Sequence, residues 1–393
     1  MICELRCGSA ICVSCYFFMN KYILIINAGS SSLKYKLFSD RLKSVSEGIV
    51  EKIGQSGSFL DYRFKNKEEK IVTKIIDHDA AMVFLMKKLS ENKVKFAEIV
   101  KVGHRVVHGG EKFTKPTLVT ADFLKELKKY NKLAPLHNPK NIAGMEACLK
   151  ALPQAKNYAV FDTAFHTTIP DFVSLYALPY RFYKKYGIKK YGFHGLSHQY
   201  VSLEAAKRLK KNKPNLITCH LGSGCSITVI KAGKSVDTSM GFTPLEGLMM
   251  ASRTGDIDPA VIFFLLNEGM SPAKINHLLN FESGLRGVSG LQDMRDIMIA
   301  NGYKVPGYKM PIKLTTEQKY LARLALQMFV YHIKKYIGAY SAILGKVDAI
   351  VFTAGMGERN KDIRDLIVRG LLGKPKILVI PTNEELMIAR LIT

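Results

Sequence analysis

No apolar run in this chain of 393 residues approaches the roughly 20 residues that a membrane-spanning helix requires, which argues against a helical anchor. The most apolar early stretch, Ala10 to Met19, is broken by Ser14 and lacks the layout of a secretory signal. Acidic residues are scarce: 33 Asp and Glu stand against 58 Lys and Arg, leaving a formal charge of +25. Yet the basic residues are spread along nearly every segment, with no long block of like charge, no zinc-finger spacing and no aromatic–basic interleaving. The charge therefore reads as a diffuse lysine bias, which draws anionic substrates toward a cleft rather than marking a nucleic-acid surface. A hydrophobic share of 47% against 23% charged residues is that of a globular chain, long enough for two domains. A soluble, cytoplasmic protein without nucleic-acid or membrane partners is expected.

Cysteine is present in an odd number, seven, and Cys3, Cys7, Cys12 and Cys15 crowd into the first 15 residues. One CxxC with a loose neighbour is weak support for zinc. Met19 stands directly before the first convincing strand, so residues 1–18 are read as an upstream, non-native or disordered extension. Cys148, Cys219 and Cys225 lie in apolar or strand contexts and read as reduced core thiols.

From Tyr22 the pattern is regular. The apolar run Ile23–Ile26, the small-residue turn Asn27–Ser32 and the alternating Leu33–Phe38 form a hairpin whose tip offers N–H groups and hydroxyls to a phosphate. The same pattern returns downstream: strand Leu216–His220, turn Leu221–Ser226, strand Ile227–Ile230. Aligning Asn27 with His220 places Gly29 on Gly222, so two related α/β domains are expected, each presenting one hairpin to a shared cleft. Helix starts are read at Thr120, at Ser197 (running to about Lys211) and at Asp258-Pro259; Thr315–Leu344 reads as one long buried helix. Then follow strand Val347–Thr353, a turn at Ala354–Gly357, a helix from about Arg359 to Leu371, strand Ile377–Ile380 and a last helix capped by Thr382.

Several constellations carry chemistry, and each alone also fits an ordinary turn or cap. Three small-residue turns follow apolar strands, the third at Gly355-Met356-Gly357, as nucleotide phosphates and an adenosine would require. In His104–Gly110, Arg105 suits a bidentate grip on carboxylate or phosphate. Asp162 ends a strand and is followed by small residues. Tyr191–His198 sets two histidines around a glycine-flanked loop, one suited to structural hydrogen bonding and the other to charge on a phosphoryl group in flight. Arg253 lies in a second loop; Asp256 and Asp258 read as capping residues more readily than as metal ligands. Thr382 and Glu385 have capping-box spacing, leaving Glu384 free to meet Mg²⁺.

The ordered segments Asn27–Lys34, Gly103–Gly110, Ala134–Pro139, Phe161–His166, Gly192–His198, Met240–Pro259, Phe352–Glu358 and Pro381–Glu385 resemble the acetate kinases over residues 19–393. The His104–Gly110 and Phe193–His198 segments are more similar to the acetate and propionate branch than to butyrate kinases. The resemblance implies an α/β fold of duplicated ribonuclease-H-like (actin-like ATPase) domains around a central cleft. The N-terminal domain would span 19–165, with the helix 382–393 packing near it, and the nucleotide-binding domain 166–381.

It also implies Mg²⁺ (or Mn²⁺ in its place) as cofactor, ATP or ADP, acetate and acetyl phosphate as substrates, and a homodimer. Carried over by position, Asn27 and Glu384 hold the metal. Asp162, His194, Arg253 and Arg105 are catalytic, and Arg105, Val107, Leu136, Phe193 and Pro244 hold the acid. ATP is bound by Ser30, Ser32 and Lys34, by His220, Leu221, Gly222, Ser223 and Gly224, and by Asp293, Met294, Arg295, Gly355, Met356 and Gly357. Three departures stand out. Ser223 and Arg359 replace family asparagines, and the Leu371–Ile377 stretch and chain end are short. They raise a second reading, a nucleotide-binding protein without turnover, and put the coupling of the two domains in doubt.

Overall fold

The computed structural model describes residues 21–29, 31–65, 67–135 and 137–393. The extension 1–18 with its four cysteines, Ser30 and Leu136 lie outside the described residues.

The strands are β1 (Tyr22–Ala28), β2 (Ser32–Ser39), β3 (Ser44–Glu51), β4 (Phe59–Phe64), β5 (Lys67–Val72), β6 (Ile99–Val106), β7 (Thr117–Leu118), β8 (Lys156–Phe161), β9 (Leu216–Leu221), β10 (Cys225–Lys231), β11 (Lys234–Thr238), β12 (Ala349–Thr353) and β13 (Lys376–Val379). They form two sheets, one in the order β5-β4-β3-β2-β1-β6-β8-β7 and one in the order β11-β10-β9-β12-β13. Within the first, β3-β2-β1 are antiparallel and β1, β6 and β8 run parallel. The second repeats that plan: β11-β10-β9 antiparallel, then β9, β12 and β13 parallel. The duplicated α/β architecture is thus visible strand by strand. β1 ends at Ala28 and β9 at Leu221, the positions that the sequence alignment of the hairpins equates.

Both sheets are covered by helices, and their central strands are largely buried. β9 and β12 are buried at every position. The helix Thr316–Leu344 is capped by Thr315 with Gln318 in a reciprocal box. It is not buried all round, as the sequence suggested: Phe329, Ile333, Ile337 and Tyr340 enter the core, while Tyr320 and Tyr331 face solvent.

The C-terminal helix Glu384–Ile392 packs Met387, Ile388, Ala389 and Ile392 on Ile23, Ile25 and Val160 of the first sheet. Gly103 makes room for it, since a Cβ there would lie 2.6 Å from Ile388 Cγ2. The short chain end therefore still reaches the first sheet.

Several local readings are corrected. The last helix is capped by Asn383, whose side chain accepts from Leu386 N at 3.0 Å, and not by Thr382. Thr382 is engaged elsewhere: its N–H donates to Glu358 Oε1 at 2.9 Å, and its hydroxyl meets Ser197 Oγ at 2.8 Å. Ser197 likewise caps nothing. Its helix spans Gly195–Leu209 and starts at His194 in a left-handed conformation (φ 56°). The segment Ala354–Arg359 is a short helix rather than a turn, and the next helix is Lys361–Val368. Proline 259 sits just before the helix Ala260–Asn267 rather than opening it. Asp258 accepts from Ala260 N at 2.9 Å, and Asp256 from Gly247 N at 2.8 Å and Tyr336 Oη at 2.7 Å. Both aspartates are thus occupied by protein donors. Cys148, Cys219 and Cys225 are buried free thiols, and burial pushes the Cys225 thiol up to about 12.

Candidate active site

The parallel register of β6 and β8 pairs Arg105 with Val160 and Val106 with Phe161, so both chains leave the sheet side by side. Asp162, the next residue, keeps the ladder going by donating its N–H to Val106 O at 2.9 Å. Its carboxylate meets the guanidinium of Arg105 in a fork: Nη2–Oδ2 is 2.6 Å and Nε–Oδ1 3.1 Å. The remaining arm, Arg105 Nη1, reaches Glu384 Oε2 at 3.2 Å. Glu384 is therefore paired, contrary to expectation, at the start of the C-terminal helix. Burial opposes the charge on Arg105, but Asp162 and Glu384 outweigh it and hold the guanidinium protonated. Burial pushes the Asp162 carboxyl upward against the pull of Arg105.

Opposite stands the tip of the β9–β10 hairpin. A side chain at Gly224 would put its Cβ 3.4 Å from His194 Nε2 and 3.6 Å from Arg253 Nη1, so both groups converge on this glycine. The peptide N–H of Gly195 donates to Asp162 O at 3.0 Å, tying His194 to the Arg105 side. Arg253 Nη1 reaches only Pro244 O at 3.3 Å and Met250 Sδ at 3.8 Å. Among the described residues it has no carboxylate partner, and burial lowers its pKa from the ordinary arginine value. A half-buried guanidinium without a counter-charge is a site for an anion.

His194 stacks on His220 with ring centroids 4.1 Å apart, and its Nδ1 lies 2.9 Å from Ser226 Oγ. Burial, with His220, His198, Arg105 and Arg253 nearby, lowers its pKa well below the usual imidazole value. His198 is the structural member of the pair, buried between Thr218 Oγ1 and Ser226 Oγ at 2.8 Å each. Phe193 is buried in an apolar cluster against which Val107 packs, and Pro244 contacts Arg253 through its carbonyl.

Asn27, next to last in β1, pairs with Lys34, whose Nζ meets Glu385 at 2.5 Å. That ion pair, not a capping box, is the work of Glu385. Lys34, Glu384 and Glu385 thus gather near the start of one helix, with Asn27 beside Lys34 in the strand ladder. Among the described residues no trio of His, Cys, Asp or Glu side chains could cage a metal. A single carboxylate and an amide fit Mg²⁺ or Mn²⁺ completed by waters and phosphate oxygens.

Of the residues expected to bind ATP, Gly222, Ser223, Asp293, Met294, Arg295, Gly355 and Met356 line one cavity of ≈ 800 Å³, while His220, Leu221, Gly224 and Gly357 do not border it. Arg359 borders it too, with Tyr308, over whose ring the Arg295 guanidinium sits at 4.0 Å. Arg295 is also forked onto Asp293 (Nη2–Oδ2 2.6 Å), and Asp293 caps the helix Met294–Ala300.

Sequence reasoning missed several supports. Asn138 and Asn141 accept from His108 N and Val107 N at 3.2 and 3.1 Å, pinning the arginine loop; Asn141 also donates to Ala28 O at 2.9 Å. Glu358 Oε1 accepts from Ala354 N and Thr382 N, joining the glycine segment to the chain end. His137 lies close enough to Arg105 and Arg253 for both to lower its pKa, after burial. Only the dense polar run His137–Asn141 hinted at these roles.

Comparison with known proteins agrees with this arrangement. The profile of the Acetokinase family matches residues 22–373. An acetate kinase of Halothermothrix orenii is 46% identical over 402 residues, covering 94% of this chain and 98% of its own. Among solved structures, a propionate kinase of Francisella tularensis superposes with a TM-score of 0.86 at 39% identity, over 94% of this chain and 98% of its own. Acetate kinase of Porphyromonas gingivalis gives 0.84 at 39% identity, with the same coverage. With two duplicated sheets, a paired and an unpaired arginine across a glycine hairpin, and matches along nearly its whole length, this chain belongs to the acetokinase family.

Proposed function

We propose that this chain transfers the γ-phosphoryl group of ATP to acetate, reversibly, giving acetyl phosphate and ADP, and that it accepts propionate. The observation that carries this reading is the convergence of His194 and unpaired Arg253 on Gly224, facing the Arg105–Asp162–Glu384 group. The acetate and propionate kinase relatives support the two acids. One extra methylene in an apolar pocket is worth only about 1–3 kcal/mol, so both acids suit a pocket of Val107, Phe193 and Pro244.

A carboxylate is already nucleophilic at neutral pH, so no general base is needed. The task is alignment and neutralisation of charge on the equatorial oxygens. Adenosine lies in the cavity between Asp293–Arg295 and Gly355–Gly357. Its phosphates run over the hairpin tips, toward Ser32 and Lys34 on one side and His220–Gly224 on the other. Arg105 holds the acid, with Asp162 fixing its guanidinium; Arg253 and His194 bind the phosphoryl group as it moves in line. Asn27 and Glu384 would hold Mg²⁺ or Mn²⁺, which would supply positive charge against the phosphate oxygens. Closure of lobes 19–165 and 166–381 excludes water.

The enzyme works in the cytoplasm as a homodimer. The helix Ala260–Asn267 buries none of its residues within the chain and exposes Phe263 and Phe264, an apolar face suited to a second copy. Purified protein with MgATP and acetate should yield acetyl hydroxamate when trapped with hydroxylamine. Nucleotide binding without product from acetate, propionate or butyrate would refute turnover and favour a non-catalytic relative.

A further inference from the structure

Binding a phosphoryl oxygen requires an N–H on the ring nitrogen of His194 that faces Gly224, so its proton inventory matters. Two polarities of the bonds behind the ring satisfy the close contacts, and the one that would turn an N–H of His194 toward the cationic Arg253, convergent on the same glycine, is disfavoured. In the other polarity the Thr218 proton points to Thr228 O, which can only accept and lies at the long distance of 3.4 Å. Thr218 Oγ1 then accepts from His198 Nδ1 at 2.8 Å. Neutral His198 is left with a lone pair on Nε2, 2.8 Å from Ser226 Oγ, which must donate its only proton to it. Ser226 Oγ consequently accepts at 2.9 Å from His194 Nδ1–H. The lone pair of His194 Nε2 is thereby turned toward Gly224, where it would repel a phosphoryl oxygen.

We propose that Ser226 and His198 lock His194 as its Nδ1–H tautomer in the empty site, and that arrival of the polyphosphate brings a second proton onto Nε2. His194 then serves the transferring group as an imidazolium, and Ser226 is a positioning residue acting through it. This rests on the assignment of His194 to the phosphoryl group made above. The proton comes from solvent, adds to the Nε2 lone pair and leaves with product; no bond to phosphorus forms.

The groups facing His194 explain the timing. Arg105 from β6, Arg253 from its loop, and His220, stacked on the ring from β9, all oppose the extra charge, as does His198 from the same helix. Ser226 from β10 is neutral, and His137, at the head of the next-to-hairpin helix Asn138–Ala151, lies beside both arginines. The carboxylates of Asp162 and Glu384 both face Arg105 rather than His194. Several negative charges on a bound nucleotide reverse this balance.

The test uses the full chain. ¹⁵N-histidine spectra of the nucleotide-free protein should show His194 protonated on Nδ1. Titration with the magnesium complex of the imido analogue of ATP, in buffers of different ionisation heat near pH 7, should take up about one proton in the wild type and none in His194→Gln. Ser226→Ala should lose the uptake, lower kcat about tenfold with little change in KM, and flatten the alkaline limb of kcat against pH. An Nε2–H tautomer in the free protein, or no uptake although His194→Gln lowers kcat, overturns the relay and leaves the site assignment standing. A His194→Gln variant with wild-type kcat overturns both. The wild-type spectra and titration decide the matter even if Ser226→Ala does not fold.

Discussion

The two arginines should respond differently to truncation, because one has a buried counter-charge and the other has none among the described residues. Arg105→Ala removes the fork from Asp162, whose side chain is only 3% exposed, and the arm that reaches Glu384. Breaking a buried pair by deleting one partner costs about 3–5 kcal/mol, since the surviving charge stays desolvated. Arg253→Ala removes one hydrogen bond to the Pro244 carbonyl, worth about 1 kcal/mol, and relieves the burial of an unpaired cation. Its net effect on stability should fall within about 1 kcal/mol of zero. Both variants should lose hydroxamate formation. Denaturant unfolding of both, with ADP binding as a check on the fold, separates the two effects. The Arg105→Ala penalty should also shrink as the pH falls toward the range where the orphaned Asp162 takes up a proton. That carboxyl is raised by burial with no cation left to oppose it, so its neutral form removes the penalty. Equal destabilisation by the two substitutions, or a greater loss from Arg253→Ala, would refute the reasoning.

Acid should weaken the fold through its buried histidines. Burial lowers His104, His166 and His220 from 6.5 to about 4. The unfolded chain therefore binds protons that the folded one refuses, and stability present above about pH 6.5 is lost progressively down to about pH 4, by about 3 kcal/mol per histidine. A denaturation midpoint that is flat across this window would contradict it; His104→Gln should give a shallower slope. Ser223→Asn places the family's longer amide on an exposed hairpin tip and should lower KM for MgATP about fivefold; an unchanged KM would show that the serine is no handicap. At Gly195 a Cβ would lie 2.0 Å from Asp162 O, so Gly195→Ala should displace both Asp162 and His194. Its kcat should fall about a hundredfold, and wild-type kcat would mean that the site tolerates the shift.

What the sequence made legible was local. Short apolar strands interrupted by Gly and Ser announced both hairpins, and their equivalence anticipated the duplicated strand order. The pairing of Arg105 with Asp162 across 57 residues was not legible, because it depends on the parallel register of β6 and β8. Tertiary bonds also overrode capping patterns. Thr382 and Asn383 are both good caps, and the choice fell to Asn383 because Glu358 and Ser197 claim Thr382. Ser197 was misread for the same reason, since its hydroxyl also meets His220 Nδ1 at 2.8 Å.

Ser226 shows the general case. It sits in β10 between apolar neighbours, buried at every position but the last, where a single serine reads as filler. Its meaning comes only from two imidazoles supplied by another element, and a hydroxyl has one proton to give. Three or more polar atoms competing for a few protons in a dry interior have very few consistent arrangements. A buried polar chain therefore transmits a definite polarity to the atom at its exposed end. The side chain that meets substrate is visible in sequence as a histidine, but its protonation state is decided by residues behind it that carry no motif.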